Sequence, residues 1–471
     1  MLFNSTEFLI LFVSVFILYW ILRDYKHQNV LLLVSSYIFY AWWDWRFLSL
    51  ILISSIIDYS VGSKIYAART NRVKRNWLLL SLISNLGLLS VFKYYNFFVD
   101  SFAELAKLFG WQPNDLTLNI ILPVGISFYT FQTLSYTIDI YRGQFKPTHN
   151  FISFCTYIAL FPQLVAGPIE RASNLLPQVE RPRKFKKEWF NEGLVQITIG
   201  FIRKIVIADT LGVYVDTIYA NTGIYNSTSI ILATIFYAFQ IYFDFSGYSD
   251  IAIGTAKLLG FKFNQNFNLP YFSSSLTEFW RKWHMSLSYW LRDYLYISLG
   301  GNRKGIKITY RNLMLTMLLG GLWHGSSWNF VIWGGIHGTV LCVEKFLNSK
   351  SLFTSIRKIK LLGFSFTFLV VLFAWVFFRA QTFDSAITAI KQILTFSFGP
   401  PYIGNISVMV NSILVLAIGL LIDFYLKYKD IPLEEVGRNY TPYKLSFIIS
   451  ILVIFICLFY STSQNFIYFQ F

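Results

Sequence analysis

Residues 360–379 read KLLGFSFTFLVVLFAWVFFR: Lys360 and Arg379 bracket eighteen residues, Leu361 to Phe378, that carry no charge. Wound as an α-helix at 1.5 Å per residue, such a run covers about 27 Å, close to the hydrocarbon thickness of a bilayer. A strand or an ordinary core helix has no use for so long an unbroken apolar stretch, so this one reads as a transmembrane helix. Similar runs recur from end to end, and helices are expected near 7–22, 29–43, 46–62, 77–97, 119–138, 192–216, 228–256, 360–379, 405–426 and 445–463. The second and third look short, and the pattern predicts a tilted hairpin turned at Trp42, Trp43, Asp44 and Trp45, whose indoles suit the membrane interface.

Composition agrees. Hydrophobic residues make up 55% of the 471 and charged ones 14%, and the mean hydropathy is +0.50. A soluble chain of this length would divide into several domains and carry about 25% charge. The expected fold class is therefore all-α: one polytopic transmembrane helical bundle over residues 1–471, with about 10–12 spans.

The formal charge of +16 does not point to nucleic acid, because the basic residues gather in short connectors. Arg69, Arg72, Lys74 and Arg75 form one cluster, and Arg181, Arg183, Lys184, Lys186 and Lys187 a second. Arg303, Lys304, Lys307 and Arg311 form a third, and Arg357, Lys358 and Lys360 a fourth. Such clusters mark cytoplasmic loops facing anionic headgroups. Residues 98–118, with Asp100, Glu104 and Asp115 against Lys107, are expected outside, as are 217–227 and 380–404. The N-terminus has no basic lead or small-residue cleavage site, so the first run is expected to remain as an anchor. Cys155, Cys342 and Cys457 stand isolated in apolar sequence and suggest neither a disulfide framework nor a thiolate metal site.

Two regions break the spanning pattern. Tyr157 to Pro168 is apolar but interrupted by Pro162, Gly167 and Pro168, which fits a segment that enters and leaves on one face. Residues 262–346 begin with Phe279, Trp283, Leu287 and Trp290 at the spacing of one helical face, so an amphipathic helix at the cytoplasmic interface is expected there. Its later part, Leu313 to Leu341, is apolar and rich in glycine.

Soluble-enzyme motifs are absent: no G-x-S-x-G, P-loop, G-x-G-x-x-G or H-E-x-x-H occurs. The residues suited to chemistry are histidines, of which the chain has five. His284 lies in Trp280-Arg281-Lys282-Trp283-His284, and His324 in Gly320-Gly321-Leu322-Trp323-His324-Gly325. A titratable ring in apolar sequence is unfavourable unless it has a partner or a task, and imidazole moves protons near neutral pH. His324 is read either as a base taking a proton from an attacking hydroxyl or as a packing histidine hydrogen-bonded across helices. His284 is read either as a partner in that chemistry or as an interfacial residue. His337, thirteen residues after His324, would face away from it on a continuous helix and is read as structural. The separations among the three fit no recurrent zinc spacing. Asp244 and Asp250 are six residues apart, project to different sides of a regular helix, and read as a buried polar network.

Five stretches resemble the membrane-bound O-acyltransferases, in particular the branch that O-acetylates exported polysaccharides. They are Leu122 to Gln132 (LPVGISFYTFQ), Phe161 to Ile169 (FPQLVAGPI), Asp244 to Gly254 (DFSGYSDIAIG), Phe279 to Ser288 (FWRKWHMSLS) continuing to Gly300-Gly301-Asn302-Arg303, and Gly321 to Gly325 (GLWHG). The resemblance implies a helical body with re-entrant segments around a central tunnel, with His324 as the active-site histidine and His284 as a second catalytic position. Trp323, Trp283, Asp244 and Ser249 are then expected along the tunnel. It further implies a thioester donor on the cytoplasmic side, with acetyl-coenzyme A the expected donor and no bound cofactor or metal. The acetyl group would pass to an extracytoplasmic partner resembling an SGNH hydrolase, and from there to a polysaccharide such as alginate or peptidoglycan. Arg281, Lys282 and Arg303, with Arg292 and Lys304 nearby, are the residue types that would hold the phosphates of coenzyme A. Two alternatives stay open: D-alanyl transfer to teichoic acid, which shares the Trp-His motifs, and a proton-coupled transporter, against which the lack of an evident internal repeat speaks.

Overall fold

The computed structural model describes residues 1–111, 113, 117–164, 167–348, 360–459 and 466–467. Among these there is no strand. Among the described residues, seven helical segments are long and apolar enough to cross a membrane: Tyr25–Ala67, Asn71–Leu108, Ser227–Leu258, Trp328–Asn348, Lys360–Arg379, Ile406–Lys429 and Pro442–Phe459. The chain is a multi-pass membrane protein. Arg357, Lys358, Asp115 and the end of the last expected helix (460–463) lie outside the described residues. Packing divides the chain into two compact units, Met1–Lys187 with Thr255–Asn264, and Glu188–Gly254 with Gln265–Phe471.

In the first unit, α1 (Thr6–Ile21), α2 (Tyr25–Asp44), α3 (Leu48–Ala67), α4 (Asn71–Leu89), α5 (Tyr95–Leu108) and α6 (Ile126–Tyr141) precede three short helices, α7 (Phe151–Ala159), α8 (Phe161–Leu164) and α9 (Ala172–Val179). The expected hairpin of short helices is two 20-residue helices joined by a 3₁₀ turn at Trp45–Phe47. Each is about 30 Å long and can span by itself. The helix expected near 77–97 runs on through a π segment, Ser90–Tyr94, into α5, so residues 98–108 are helix rather than loop. At nine and four residues, α7 and α8 are too short to span, and almost all of their residues are buried. In apolar surroundings helices associate through polar pairs rather than the hydrophobic effect. Asp58 on α3 supplies one such centre, accepting from Ser81 Oγ at 2.6 Å and Asn85 Nδ2 at 2.8 Å on α4. Arg183, expected at the lipid headgroups, is instead tied inward: its guanidinium donates to Tyr19 Oη at 2.7 Å, the Val179 carbonyl at 2.8 Å and Gln28 Oε1 at 3.1 Å.

The second unit holds α10 (Lys187–Phe201), α11 (Asp209–Ala220), α12 (Ser227–Leu258), α13 (Leu276–Trp280), α14 (Met285–Trp290), α15 (Ile306–His324), α16 (Trp328–Asn348), α17 (Lys360–Arg379), α18 (Phe383–Leu394), α19 (Ile406–Lys429) and α20 (Pro442–Phe459). A π segment, Ile202–Ala208, joins α10 to α11, and another, Leu291–Tyr296, follows α14. The outward loop expected at 380–404 contains α18, whose start is closed by a reciprocal cap between Thr382 and Ser385. The expected interfacial helix through Phe279 and Trp290 is not one helix. It breaks into α13 and α14, and Phe279, Trp283, Leu287 and Trp290 are all buried within protein.

Glycines set how closely these helices approach. At the crossing of α10 and α12, a Cβ on Gly200 would lie 2.7 Å from the Gly247 carbonyl oxygen, and one on Gly247 equally close to that of Gly200. α15 and α16 form a hairpin turned at Gly325–Ser327, where a Cβ on Gly334 would run into the carbonyl of Met317. That obstacle is backbone and cannot swing aside. Gly334→Ala is therefore expected to lower stability by roughly 1–3 kcal/mol, read as a reduced midpoint of heat-induced loss of the monodisperse detergent-purified peak. An unchanged midpoint would show that the hairpin separates freely.

Candidate active site

The Trp-Arg-Lys-Trp-His stretch sits at the break between α13 and α14. Ser275 caps α13 by accepting from the Glu278 amide, and Glu344 on α16 reaches across to accept from the Leu276 and Thr277 amides at 2.6 and 3.1 Å. The chain then reverses at His284, which takes φ 41° and ψ 55°. A left-handed conformation is uncommon for a residue with a Cβ and is unfavourable by about 1–3 kcal/mol, so the surroundings must hold it. The Met285 amide donates to the Asn266 carbonyl at 2.8 Å, and the Asn268 amide to the Lys282 carbonyl at 2.9 Å. These bonds clamp the turn to the extended stretch before α13.

His284 is fully buried and His324 is 3% exposed. Their ring centroids are 6.4 Å apart. A direct N–H···N bond of about 3 Å would need centroids within roughly 5.5 Å, so the rings do not bond each other; their separation suits one oxygen held between them. Aromatic rings enclose the pair. Phe245 meets His284 edge-on at 4.6 Å, Trp323 lies 5.7 Å from His284 and 5.0 Å from His324, and Trp333 and Phe378 pack against His324 at 5.0 and 5.4 Å. Burial pushes the His284 imidazolium down to about 3, so the ring is neutral in ordinary conditions. His324 ends α15, where the last carbonyls favour positive charge developing on a ring that takes a proton.

His337 does not face away from this pair. The turn at Gly325–Ser327 puts it on a separate helix, so the angular argument for one continuous helix does not apply. Its ring packs 4.7 Å from Trp333, the indole that also touches His324.

The other residues singled out in the sequence divide. Trp323 touches both histidines. Trp283 is packed among Phe267, Trp375 and Phe279 at 5.1, 5.2 and 5.5 Å. Ser249 accepts a hydrogen bond from Asn266 Nδ2 at 3.0 Å, and Asn266 in turn contacts His284. Asp244 is held by Lys204 at 2.7 Å and accepts from the Ile467 amide at 2.8 Å. Asp250 is paired with Arg203 at 2.6 Å, and α12 continues unbroken through both carboxylates. Arg281 and Arg303 are exposed. Lys282 is committed to Glu278 at 2.7 Å, and Arg292 to Asp293 at 2.6 Å. Asn266, Phe245, Trp333 and Phe378 were not among the residues expected at the site. Asn266 had no signal to find it by, whereas Phe245 lies inside the Asp244–Gly254 motif. No group of three or more His, Cys, Asp or Glu residues that could hold a metal ion occurs among the described residues.

A sequence model of the membrane-bound O-acyltransferase family matches residues 37–387. The chain is 46% identical over 402 residues to a probable alginate O-acetylase of Pseudomonas aeruginosa, covering 85% of this chain and 75% of that one. It is 36% identical over 425 residues to a peptidoglycan O-acetyltransferase of Helicobacter pylori, covering 84% and 80%. Similarity to a teichoic acid D-alanyltransferase of Bacillus subtilis is 29% over 294 residues, covering 58% of this chain and 72% of the relative.

Proposed function

The chain belongs to the membrane-bound O-acyltransferase family, and from that premise we propose that it moves an acetyl group from cytoplasmic acetyl-coenzyme A outward, for O-acetylation of an exported or cell-wall polysaccharide. The observation that carries the reading is the pair His284 and His324, 6.4 Å apart in a buried aromatic enclosure. A substrate entering between the two rings presents its reacting hydroxyl to His324 and a neighbouring N–H or O–H to His284. His324 acts as the base that takes the hydroxyl proton, and His284, neutral, orients the reacting group. Trp323 and Trp283 supply flat apolar walls, and Ser249 supports His284 from behind Asn266. An extracytoplasmic partner of SGNH-hydrolase type receives the acetyl group and delivers it to the polysaccharide.

Acetyl transfer is favoured over D-alanyl transfer by the higher identity and coverage of the acetylating relatives. α17 contributes to the enclosure: Trp375 packs on Trp283 at 5.2 Å and Phe378 on His324 at 5.4 Å.

The test is purified protein in lipid nanodiscs with acetyl-coenzyme A, following thiol release. Release dependent on His324 is expected; proton flux without thiol release would favour a transporter instead. The same assay examines the donor contacts. Neutralising Arg281 or Arg303 should raise KM for the donor with a smaller change in kcat, because phosphate contacts far from the carbonyl contribute uniform binding. Salt sensitivity of donor binding should fall as well. Lys282→Gln should change KM less, since Glu278 already occupies that ammonium. Unchanged kinetics with less inserted protein would make these cations lipid anchors.

A further inference from the structure

Asn266 is fully buried on the stretch before α13, and its side chain makes contacts on both sides. Its Oδ1 accepts from the Ser286 amide at 3.3 Å and the Ser286 hydroxyl at 2.9 Å, and lies 3.1 Å from Nδ1 of His284. Its Nδ2 donates to Ser249 Oγ at 3.0 Å. A backbone N–H can only donate, so the amide atom facing Ser286 is the oxygen. That oxygen can only accept, so the His284 nitrogen facing it must carry a hydrogen.

We infer that Asn266 is a positioning residue for acyl transfer, fixing His284 as its Nδ1–H tautomer so that Nε2 offers a lone pair. The inference rests on the reading that His284 takes part in transfer. A histidine free to choose its tautomer would offer an N–H at Nε2 part of the time and repel the substrate N–H or O–H that it holds beside the hydroxyl deprotonated by His324. Asn266 also steadies the left-handed turn at His284 through its backbone carbonyl, so one residue sets both ring orientation and protonation site. Among titratable groups on the surrounding elements, His324 faces His284 at 6.4 Å. Asp244 and Asp250 on α12 are paired with Lys204 and Arg203, and Lys282 on the preceding turn with Glu278.

Two variants separate positioning from a merely structural role. Asn266→Leu should lower kcat about 10- to 100-fold, with KM for acetyl-coenzyme A nearly unchanged. Asn266→Asp keeps an acceptor at Nδ1 and should retain most of kcat at alkaline pH. Its introduced carboxylate favours imidazolium, so the His284 nitrogen resonances should titrate about one pH unit or more above those of the parent. Nitrogen NMR of ¹⁵N-histidine-labelled protein, with His284→Ala assigning the resonance, should show hydrogen on Nδ1 in the parent. Hydrogen on Nε2 overturns the inference, as does a His284 titration in Asn266→Asp that coincides with the parent's while His284→Ala is impaired. A fully active His284→Ala variant instead overturns the reading that places His284 in the reaction.

Discussion

His324→Gln is expected to lower acyl transfer about 10²- to 10⁴-fold, the usual loss when a general base is removed, while the protein remains inserted and folded. The glutamine amide roughly fills the volume among Trp323, Trp333 and Phe378 that imidazole occupies, and it can hydrogen-bond but cannot take a proton. His324→Ala should lose as much activity and some stability too, because truncation opens a space between rings about 5 Å away. Comparing the two separates chemistry from packing. Thiol release from acetyl-coenzyme A reads the first and the midpoint of thermal unfolding in detergent the second. Near-parental turnover by His324→Gln would remove His324 from the reaction. His284→Ala should also impair transfer, but less, since a neutral orienting group leaves the proton acceptor in place.

That His324 could be singled out from sequence follows from the physics of its setting. A polar ring inside an apolar run stands out, and the spanning helices were legible for the same reason, since a bilayer demands length and apolarity that soluble folds do not. The enclosure itself was not legible. Trp333, Phe378 and Phe245 come from three different helices, and periodicity within one helix says nothing about which others meet it. His337 shows the error directly: helical phase placed it opposite His324, but Gly325–Ser327 ends one helix and starts another. The stretch Phe279–Trp290 failed in the same manner. Its spacing suits a continuous amphipathic face, yet the left-handed turn at His284 divides it, and bonds to Asn266 and Asn268 hold that turn. Asn266 belongs to a connector without periodicity, where local pattern carries no information about tertiary partners. Among the charges, sign and clustering did not mark loops alone, since Arg72, Lys74 and Arg75 lie in α4 and Lys307 and Arg311 in α15, and they could not show that Lys282 and Arg183 are already occupied by neighbours in the fold.

Arg203→Met should destabilise the protein by about 3–5 kcal/mol, the loss typical of removing one partner from a buried ion pair. Arg203 and Lys204 are neighbours on the π segment Ile202–Ala208, and each joins two carboxylates: Arg203 reaches Asp250 at 2.6 Å and Asp423 at 2.7 Å, and Lys204 reaches Asp209 and Asp244, both at 2.7 Å. Two cations therefore meet four carboxylates in buried surroundings. With Arg203 gone, Asp250 keeps Gln196 at 3.2 Å and Asp423 keeps Tyr242 at 2.8 Å, but neither neighbour carries charge. The site should suffer as well, because Asp250 adjoins Ser249 on α12, and the same helix presents Phe245 to His284. Asp250→Asn and Asp423→Asn added to Arg203→Met should recover much of the lost stability, since the penalty comes from unpaired charge rather than from a missing side chain. Thermal midpoints of the single and triple variants in one detergent decide the matter. A single variant as stable as the parent would mean that α10, α12 and α19 are held by packing alone. A triple variant no better than the single one would mean that the shape of the guanidinium, bridging three helices, matters more than its charge.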